Sequence, residues 1–266
     1  MPLRIATWNI NSVRLRFDLA ARLIAEEAPD VLCLQETKCP DDAFPLAGFR
    51  KLGYRHAALN GQKGYHGVAI LSRKPFLAVQ QDDFCEKRDC RHVAATIDGG
   101  AGPVTVHNFY VPAGGDEPDP EINPKFAHKL AFLDEMRAWS AAQKAGANQI
   151  LVGDLNVAPL ETDVWSHKQL LKVVSHTPIE VEKFGRAQAG GAWVDVMRRE
   201  IPEPTRLYTW WSYRAADWRA ADRGRRLDHI WASPDLAPSL GGISVLKEVR
   251  GWERPSDHVP VLASLG

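Results

Sequence analysis

At 266 residues, 45% apolar and 25% charged, the chain is long enough for one large domain with a substantial core. Its 33 basic and 33 acidic residues cancel, which argues against a simple nucleic-acid coat but not against an enzyme whose carboxylates offset a basic patch. No signal pattern precedes the first strand-like run and no apolar stretch nears membrane-spanning length, so the expectation is a cytoplasmic protein with no membrane partner.

Taken along the chain, Leu3–Thr7 reads as a strand. Arg14–Glu27 follows as an amphipathic helix, with Leu15, Leu19 and Leu23 at four-residue spacing and Pro29 as its stop. Further strands are expected at Val31–Leu34, Gly67–Ser72, Val93–Asp98 and Val104–Phe109. The Gly-, Pro- and Asp-rich stretch Pro112–Pro124 reads as a loop of the kind that borders active sites. A helix over Pro124–Ala145 is capped by Asn123, begins with Pro124, ends before Gly146, and carries the stripe Phe126, Leu130, Leu133, Met136. Gln149–Val152 is a strand, a third helix is expected near Val164–Val174, and Asp228–Ala232 and Val259–Ser264 complete the strands. Many strands with interspersed helices indicate an α/β or α+β layered domain. With no linker and no repeat, residues 1–266 read as a single domain. The four cysteines form no C-x-x-C pair and read as reduced thiols, with Cys33 buried in an apolar run.

Six polar clusters stand at the ends of apolar runs: Trp8-Asn9-Ile10-Asn11, Gln35-Glu36-Thr37-Lys38, Asn108-Phe109-Tyr110, Gly153-Asp154-Leu155-Asn156, Leu227-Asp228-His229 and Ser256-Asp257-His258. The first four follow a run and the last two precede one. If all six meet on one sheet edge, the last two strands must run antiparallel to the other four.

Together the clusters hold the parts of a metal-dependent phosphodiesterase. Asn9 and Asn11 are two apart, as are Asp154 and Asn156, a spacing that in extended chain puts both members of each pair on one face. Hard cations take oxygen ligands, and Glu36 at a strand end with Asn9 and Asp257 suits magnesium. Asp228 and Asp257-His258 add an acid–base element, since a carboxylate on one imidazole nitrogen fixes the tautomer and raises the pKa. Tyr110 either donates to a phosphoryl oxygen or packs. His66, His92 and His107 read as satisfied strand or loop histidines. Between Arg206 and Asp228, six arginines stand against three aspartates, interleaved with Tyr208, Trp210, Trp211, Tyr213 and Trp218. That mixture suits phosphate contact with stacking, or else a Trp-rich hairpin covering the core.

The segments TWNINSVRLR, PDVLCLQETK, GQKGYHGVAILS, NFYVP, LVGDLNVAP, GRRLDHIWAS and PSDHVPVLASL run from residue 7 to 265. In this order the chain resembles the bacterial exonuclease III family, the exonuclease III branch of class II AP endonucleases in the endonuclease/exonuclease/phosphatase superfamily. The resemblance implies a four-layered α/β sandwich, two mixed β-sheets face to face with helices outside. It implies Mg2+, with Mn2+ as a possible substitute, at a metal site of Glu36 as main ligand with Asn9, Asp257, Asp154 and Asn156, and Asn11 peripheral. It implies that Asp154 activates water, Asn156 orients it, Asp228 orients His258, and His258 and Tyr110 contact the scissile phosphate. Trp210, Trp211 and Leu227 would form the pocket for a base-less sugar, and Arg91 and Arg223 would hold the DNA backbone. The implied activities are incision 5′ to abasic sites, 3′→5′ exonuclease on duplex DNA and removal of 3′ blocking phosphates, by a monomer acting on double-stranded DNA.

Ala113 stands where some relatives carry an amide, Asp222 where they often carry Asn, and Leu160–Phe184 matches only a bacterial sub-branch. Superfamily members acting on inositol phosphates or sphingomyelin usually place a second catalytic histidine where this chain has Asn108-Phe109-Tyr110.

Overall fold

The computed structural model describes residues 2–143 and 146–266. The strands in chain order are β1 (Leu3–Asn9), β2 (Val31–Gln35), β3 (His56–Asn60), β4 (Val68–Ser72), β5 (Phe76–Gln80), β6 (His92–Asp98), β7 (Pro103–Tyr110), β8 (Gln149–Asp154), β9 (Val194–Asp195), β10 (Trp210–Trp211), β11 (Gly224–Arg225), β12 (Asp228–Ala232), β13 (Leu240–Val245) and β14 (Val261–Leu265). Two six-stranded sheets have the orders β13-β14-β1-β2-β4-β3 and β5-β6-β7-β8-β12-β9, and β10 and β11 form a separate ribbon. Both large sheets are mixed: β1 and β2 are parallel, as are β7 and β8, while β14 runs antiparallel to β1 and β12 antiparallel to β8.

Alternation along each strand builds the layers. In β1, Leu3 and Ile5 join the core between the sheets, packed with Val106, Ile150 and Ile230 of the facing sheet. The intervening Ala6 and Trp8 point the other way, onto the helix Phe17–Glu27 through Ala20, Leu23 and Ile24. On the second sheet, Phe109, Leu151 and Trp231 face outward onto Phe132, Leu133 and Met136 of the helix Pro124–Ala141 and Phe184 of Pro178–Gly190. The result is the expected four layers, helix–sheet–sheet–helix. A buried polar tie crosses between the sheets: Gln35 Nε2 donates to Asn108 Oδ1 at 2.7 Å, and Asn108 Nδ2 donates to the Leu34 and Ala69 carbonyls. Among the described residues no helix is long and apolar enough to cross a membrane.

Several boundaries differ from expectation. The first helix begins at Phe17, so Leu15 stays outside it and 61% exposed. The second is capped by Asn123 as expected but ends at Ala141, with Ala142 as its C-cap and residues 142–143 in a turn and bend; the expected end at Ala145 lies outside the described residues. The expected helix over Val164–Val174 is only a turn at His167–Leu170. Val164 and Leu170 are buried there against Ala158 and Leu227, a cluster that needs no long helix. The long helix lies further on, at Pro178–Gly190, started by a box in which Thr177 and Glu180 each bond the other's backbone N–H. Strands β3, β5 and β13 also went unanticipated, because exposed or Gly-containing edge strands lack a clean apolar run.

Candidate active site

The six clusters converge, but from two sheets rather than along one edge. Asn9, Glu36 and Asp257-His258 come from the β1–β2–β14 side, and Tyr110, Asp154 and Asp228 from β7, β8 and β12. The antiparallel run of the last two strands therefore holds within each sheet separately.

The two-residue spacings work differently from the extended geometry expected of them. Asn9 Oδ1 accepts the Asn11 N–H at 3.1 Å, and Asp154 Oδ1 accepts the Asn156 N–H at 3.0 Å. Asn11 and Asn156 are left-handed, with φ of 48° and 53°. Each pair is an Asx turn that stops its strand and turns the first side chain toward the site. Glu36, at φ 50°, is left-handed too, so three site residues hold backbone conformations that non-glycine residues rarely adopt. Gly153 is required next to Asp154: a Cβ there would stand 2.0 Å from the Phe109 carbonyl oxygen, at φ 137°.

Asn9 Nδ2 bridges the carboxylates, donating to Glu36 Oε1 at 2.9 Å and Asp154 Oδ2 at 2.8 Å. Tyr110 Oη donates to Glu36 Oε1 at 2.9 Å, and the Lys38 ammonium pairs with Glu36 Oε2 at 2.8 Å. Burial pushes Glu36 upward, but Lys38 and the Asn9 amide outweigh it and hold the carboxyl below its usual range. Burial and the neighbouring Glu36 and Asp154 carboxylates raise Tyr110 well above 10, so its phenol remains a donor. His258 Nδ1 donates to Asp228 Oδ2 at 2.8 Å, and its Nε2 lies 3.6 Å from Asp154 Oδ2. Burial pulls the ring down, yet the charges of Asp228 and Asp154 carry it up to about 10. Burial and the Asp228 charge push Asp154 up to about 7, against the pull of His258 and Asn9. Thr209 Oγ1 holds Asp228 by accepting its backbone N–H at 3.1 Å.

Glu36, Asp154, Asn156, Asp257 and His258 floor a cavity of about 560 Å³. Trp210, Trp211 and Leu227 line it, as do Trp165, Arg223 and Arg225. Trp210 Nε1 donates to Asp257 Oδ2 at 3.0 Å, linking the aromatic wall to the carboxylate floor. Arg223 lies over the Trp165 ring at 4.7 Å. Trp211 is 2% exposed and donates to Asp222 Oδ1 at 2.9 Å, and Asp222 also pairs with Lys247. Asp222, where relatives often have Asn, thus anchors this ribbon. Ala113 also lines the cavity. Arg91 is placed beneath Tyr110: it is 7% exposed, donates to the Tyr110 carbonyl at 3.2 Å, pairs with Asp89, and stacks 4.9 Å from the Tyr110 ring centroid. Arg226, read as part of a phosphate-contacting run, is fully buried between Asp163 and Asp195 and is a structural ion pair. His66 bonds Gln62 and Arg91, and His92 and His107 stack on each other inside the fold.

Some contributors were not legible beforehand. Lys38 stood in a quoted cluster without a role. Lys129 and Glu180 form a fully buried ion pair at 2.5 Å, and Lys129 Nζ donates to the Asn156 carbonyl at 2.7 Å and to that of Ala113 at 3.3 Å. The Thr177-Pro178-x-Glu180 pattern was the available signal for Glu180.

The donor set fits a divalent cation. Glu36, Asp154, Asn156 and Asp257 all present oxygens to the cavity floor, and the Lys38 ammonium already shows that this corner favours positive charge. Asp154, Asp228 and His258 also stand close enough to one another to hold a metal ion. One donor of that trio is an imidazole nitrogen, so the carboxylate and amide oxygens around Glu36 are the better match to a hard cation.

Residues 6–258 match the Endonuclease/Exonuclease/phosphatase family, and the chain belongs to it. Within it, the chain falls in the exonuclease III and AP endonuclease branch of phosphodiester-hydrolysing enzymes. It is 30% identical to the exodeoxyribonuclease III of Haemophilus influenzae, over 98% of this chain and 99% of that one. Among solved structures it is similar to an AP endonuclease from Archaeoglobus fulgidus, at 33% identity, TM-score 0.90 and 99% coverage of both chains. It is similar as well to a 3′ phosphatase from Neisseria bound to a product DNA hairpin, at 32% identity, TM-score 0.89 and 99% coverage of both chains.

Proposed function

We propose that the protein is a DNA-repair nuclease that hydrolyses DNA phosphodiesters, incising 5′ to abasic sites, with 3′→5′ exonuclease activity on duplex DNA and removal of 3′ phosphates. The observation that carries this reading is Asp154 and His258, the latter backed by Asp228, on the floor of a cavity walled by Trp210, Leu227 and arginines. Residues 1–266 act as one catalytic domain, a cytoplasmic monomer; the free state of all four cysteines accords with a reducing compartment.

Each residue then has a task. Asp154, raised toward neutrality, accepts the proton of the attacking water, whose lone pair Asn156 aims at phosphorus. His258, cationic through Asp228, and Tyr110, a phenol that stays protonated, donate to the phosphoryl oxygens as negative charge builds there. Trp210 and Leu227 seat a sugar without a base. Arg223 faces the backbone. Glu36, tied in by Asn9, and Asp257, tied in by Asn11 and Trp210, would hold Mg2+ or Mn2+, which when bound supplies Lewis-acid stabilisation of phosphoryl and leaving oxygens.

The test is a labelled duplex with one tetrahydrofuran abasic analogue, incubated with magnesium or with EDTA. The expected product is a magnesium-dependent nick on the 5′ side. Shortening from 3′ ends without that nick would overturn the abasic-site pocket, and no cleavage would overturn the nuclease.

A further inference from the structure

Arg225 and Arg226 are neighbours in sequence with opposite situations. Arg226 is enclosed by two carboxylates, Asp163 and Asp195. Arg225 lines the active-site cavity, and no ion pair to it is found among the described residues. Its Nη1 donates to the Val174 carbonyl at 2.9 Å and to Ser175 Oγ at 2.8 Å, and its guanidinium lies 5.2 Å from the Trp210 ring centroid. Its Nε is buried and has no hydrogen-bond partner. Glu180, the carboxylate whose charge reaches it, is already paired with Lys129. Burial pulls the Arg225 pKa below its usual value, as expected for a cation short of a counter-charge.

A permanent cation held rigidly in a cavity wall, with a donor left unused, calls for an anion from outside. Its position says which one. Trp210 pairs with Arg225 on one side and bridges to His258 on the other, so the three lie side by side across the ribbon. Two strand spacings separate the backbones of His258 and Arg225, about 10 Å. We propose that Arg225 is a substrate-contacting residue that holds a second phosphate of the DNA, the one on the 3′ side of the nucleotide seated against Trp210. The inference rests on the function proposed above: with incision 5′ to that nucleotide, the phosphate at His258 is its 5′ phosphate and the next one lies beyond the sugar. A 3′-phosphate terminus has no such second group past the reacting one. Arg225 therefore favours internal abasic sites over 3′ ends.

The experiment compares three duplexes: an internal tetrahydrofuran site, the same site with a neutral methylphosphonate as its 3′ linkage, and a 3′-phosphate end. For the unaltered enzyme, the neutral linkage should lower kcat/KM on the order of tenfold, the loss of one charge-assisted contact. Arg225→Met should lower kcat/KM on the normal internal site by a similar factor, and by about twofold on the 3′-phosphate end. On the neutral linkage Arg225→Met should cause little further loss, because mutation and neutralisation remove the same contact. Arg225→Lys should recover part of the loss. Equal losses on internal site and 3′ end, or independent multiplication of the two effects, would sink the inference while leaving the nuclease standing. The linkage comparison on the unaltered enzyme decides the matter even if the variants fold poorly: no effect of neutralisation overturns it. Failure of the unaltered enzyme on the first and third duplexes would instead overturn the nuclease reading.

Discussion

Asp154 and Asp228 stand opposite each other in register across the antiparallel β8–β12 ladder, two buried carboxylates with the His258 imidazole within reach of both. Like charges directly opposite on a ladder repel, so the arrangement persists only with a cation between them. That need explains why both groups hold their protons more tightly than usual: the imidazole is driven up to about 10 and Asp154 up to about 7.

The first prediction concerns stability against pH with metal removed by EDTA. His258 is raised from an ordinary value of 6.5, so its contribution is fully present below about 6.5 and is lost as pH rises through about 10. Asp154 binds its proton more tightly folded than unfolded, so its raised value also makes stability fall with rising pH, from about 4 to about 7. Urea unfolding at pH 7 and pH 10 should show the protein weaker at pH 10. His258→Gln should flatten that difference; an unchanged slope would contradict the cluster.

The second concerns chemistry. Asp154→Asn keeps the single oxygen that accepts the Asx-turn N–H, but turns an amide NH2 toward the Asn9 donor and removes the proposed base. Single-turnover cleavage of the tetrahydrofuran duplex should fall by about 10²–10⁴-fold, with DNA affinity largely kept. Retention of full single-turnover rate would remove Asp154 from the mechanism.

The third concerns the metal corner. Calorimetric titration with magnesium should show binding to the unaltered protein, and Glu36→Gln should weaken it by at least about tenfold. Lys38→Met frees Glu36 Oε2 from its ammonium partner, so magnesium should bind Lys38→Met at least as tightly. Unchanged affinity in Glu36→Gln would move the site to the Asp154–Asp228–His258 group.

The fourth concerns the buried pair behind the cavity. Lys129→Met leaves Glu180 charged and unpaired and should cost about 3–5 kcal/mol in urea unfolding. Adding Glu180→Leu should restore much of that stability, since no buried charge remains. Turnover should stay low in the double variant, because the Asn156 and Ala113 carbonyls have lost the ammonium that fixes them. Recovery of turnover together with stability would reduce the pair to a structural role.

The fifth concerns backbone. Gly153→Ala should destabilise by about 3 kcal/mol, since the new methyl collides with the Phe109 carbonyl and the backbone is left-handed there. A loss below about 1 kcal/mol would show that β7 and β8 separate more easily than their ladder indicates.

By itself the sequence determined the family and the residues that meet in the candidate site. Asn9, Glu36, Tyr110, Asp154, Asp228 and His258 were legible because each polar cluster interrupts an apolar run, a local signal that needs no knowledge of partners. The antiparallel sense of the last two strands was legible for the same reason, since their clusters precede the runs. Tertiary structure alone decided which strands are neighbours. Period-two alternation marks an inward face but carries no address for the strand opposite, so the division of the six clusters between two sheets could not be read. The same limit hid the Asx turns, because the spacing of Asn9 and Asn11 is compatible with extended chain until backbone angles are known. It hid the roles of the arginines as well. Arg91, Arg223, Arg225 and Arg226 are one residue type, and only their surroundings separate a guanidinium packed under Tyr110, one over Trp165, one facing the cavity and one enclosed by Asp163 and Asp195. A charged side chain acquires its function from the charges folded around it, and those come from distant parts of the chain.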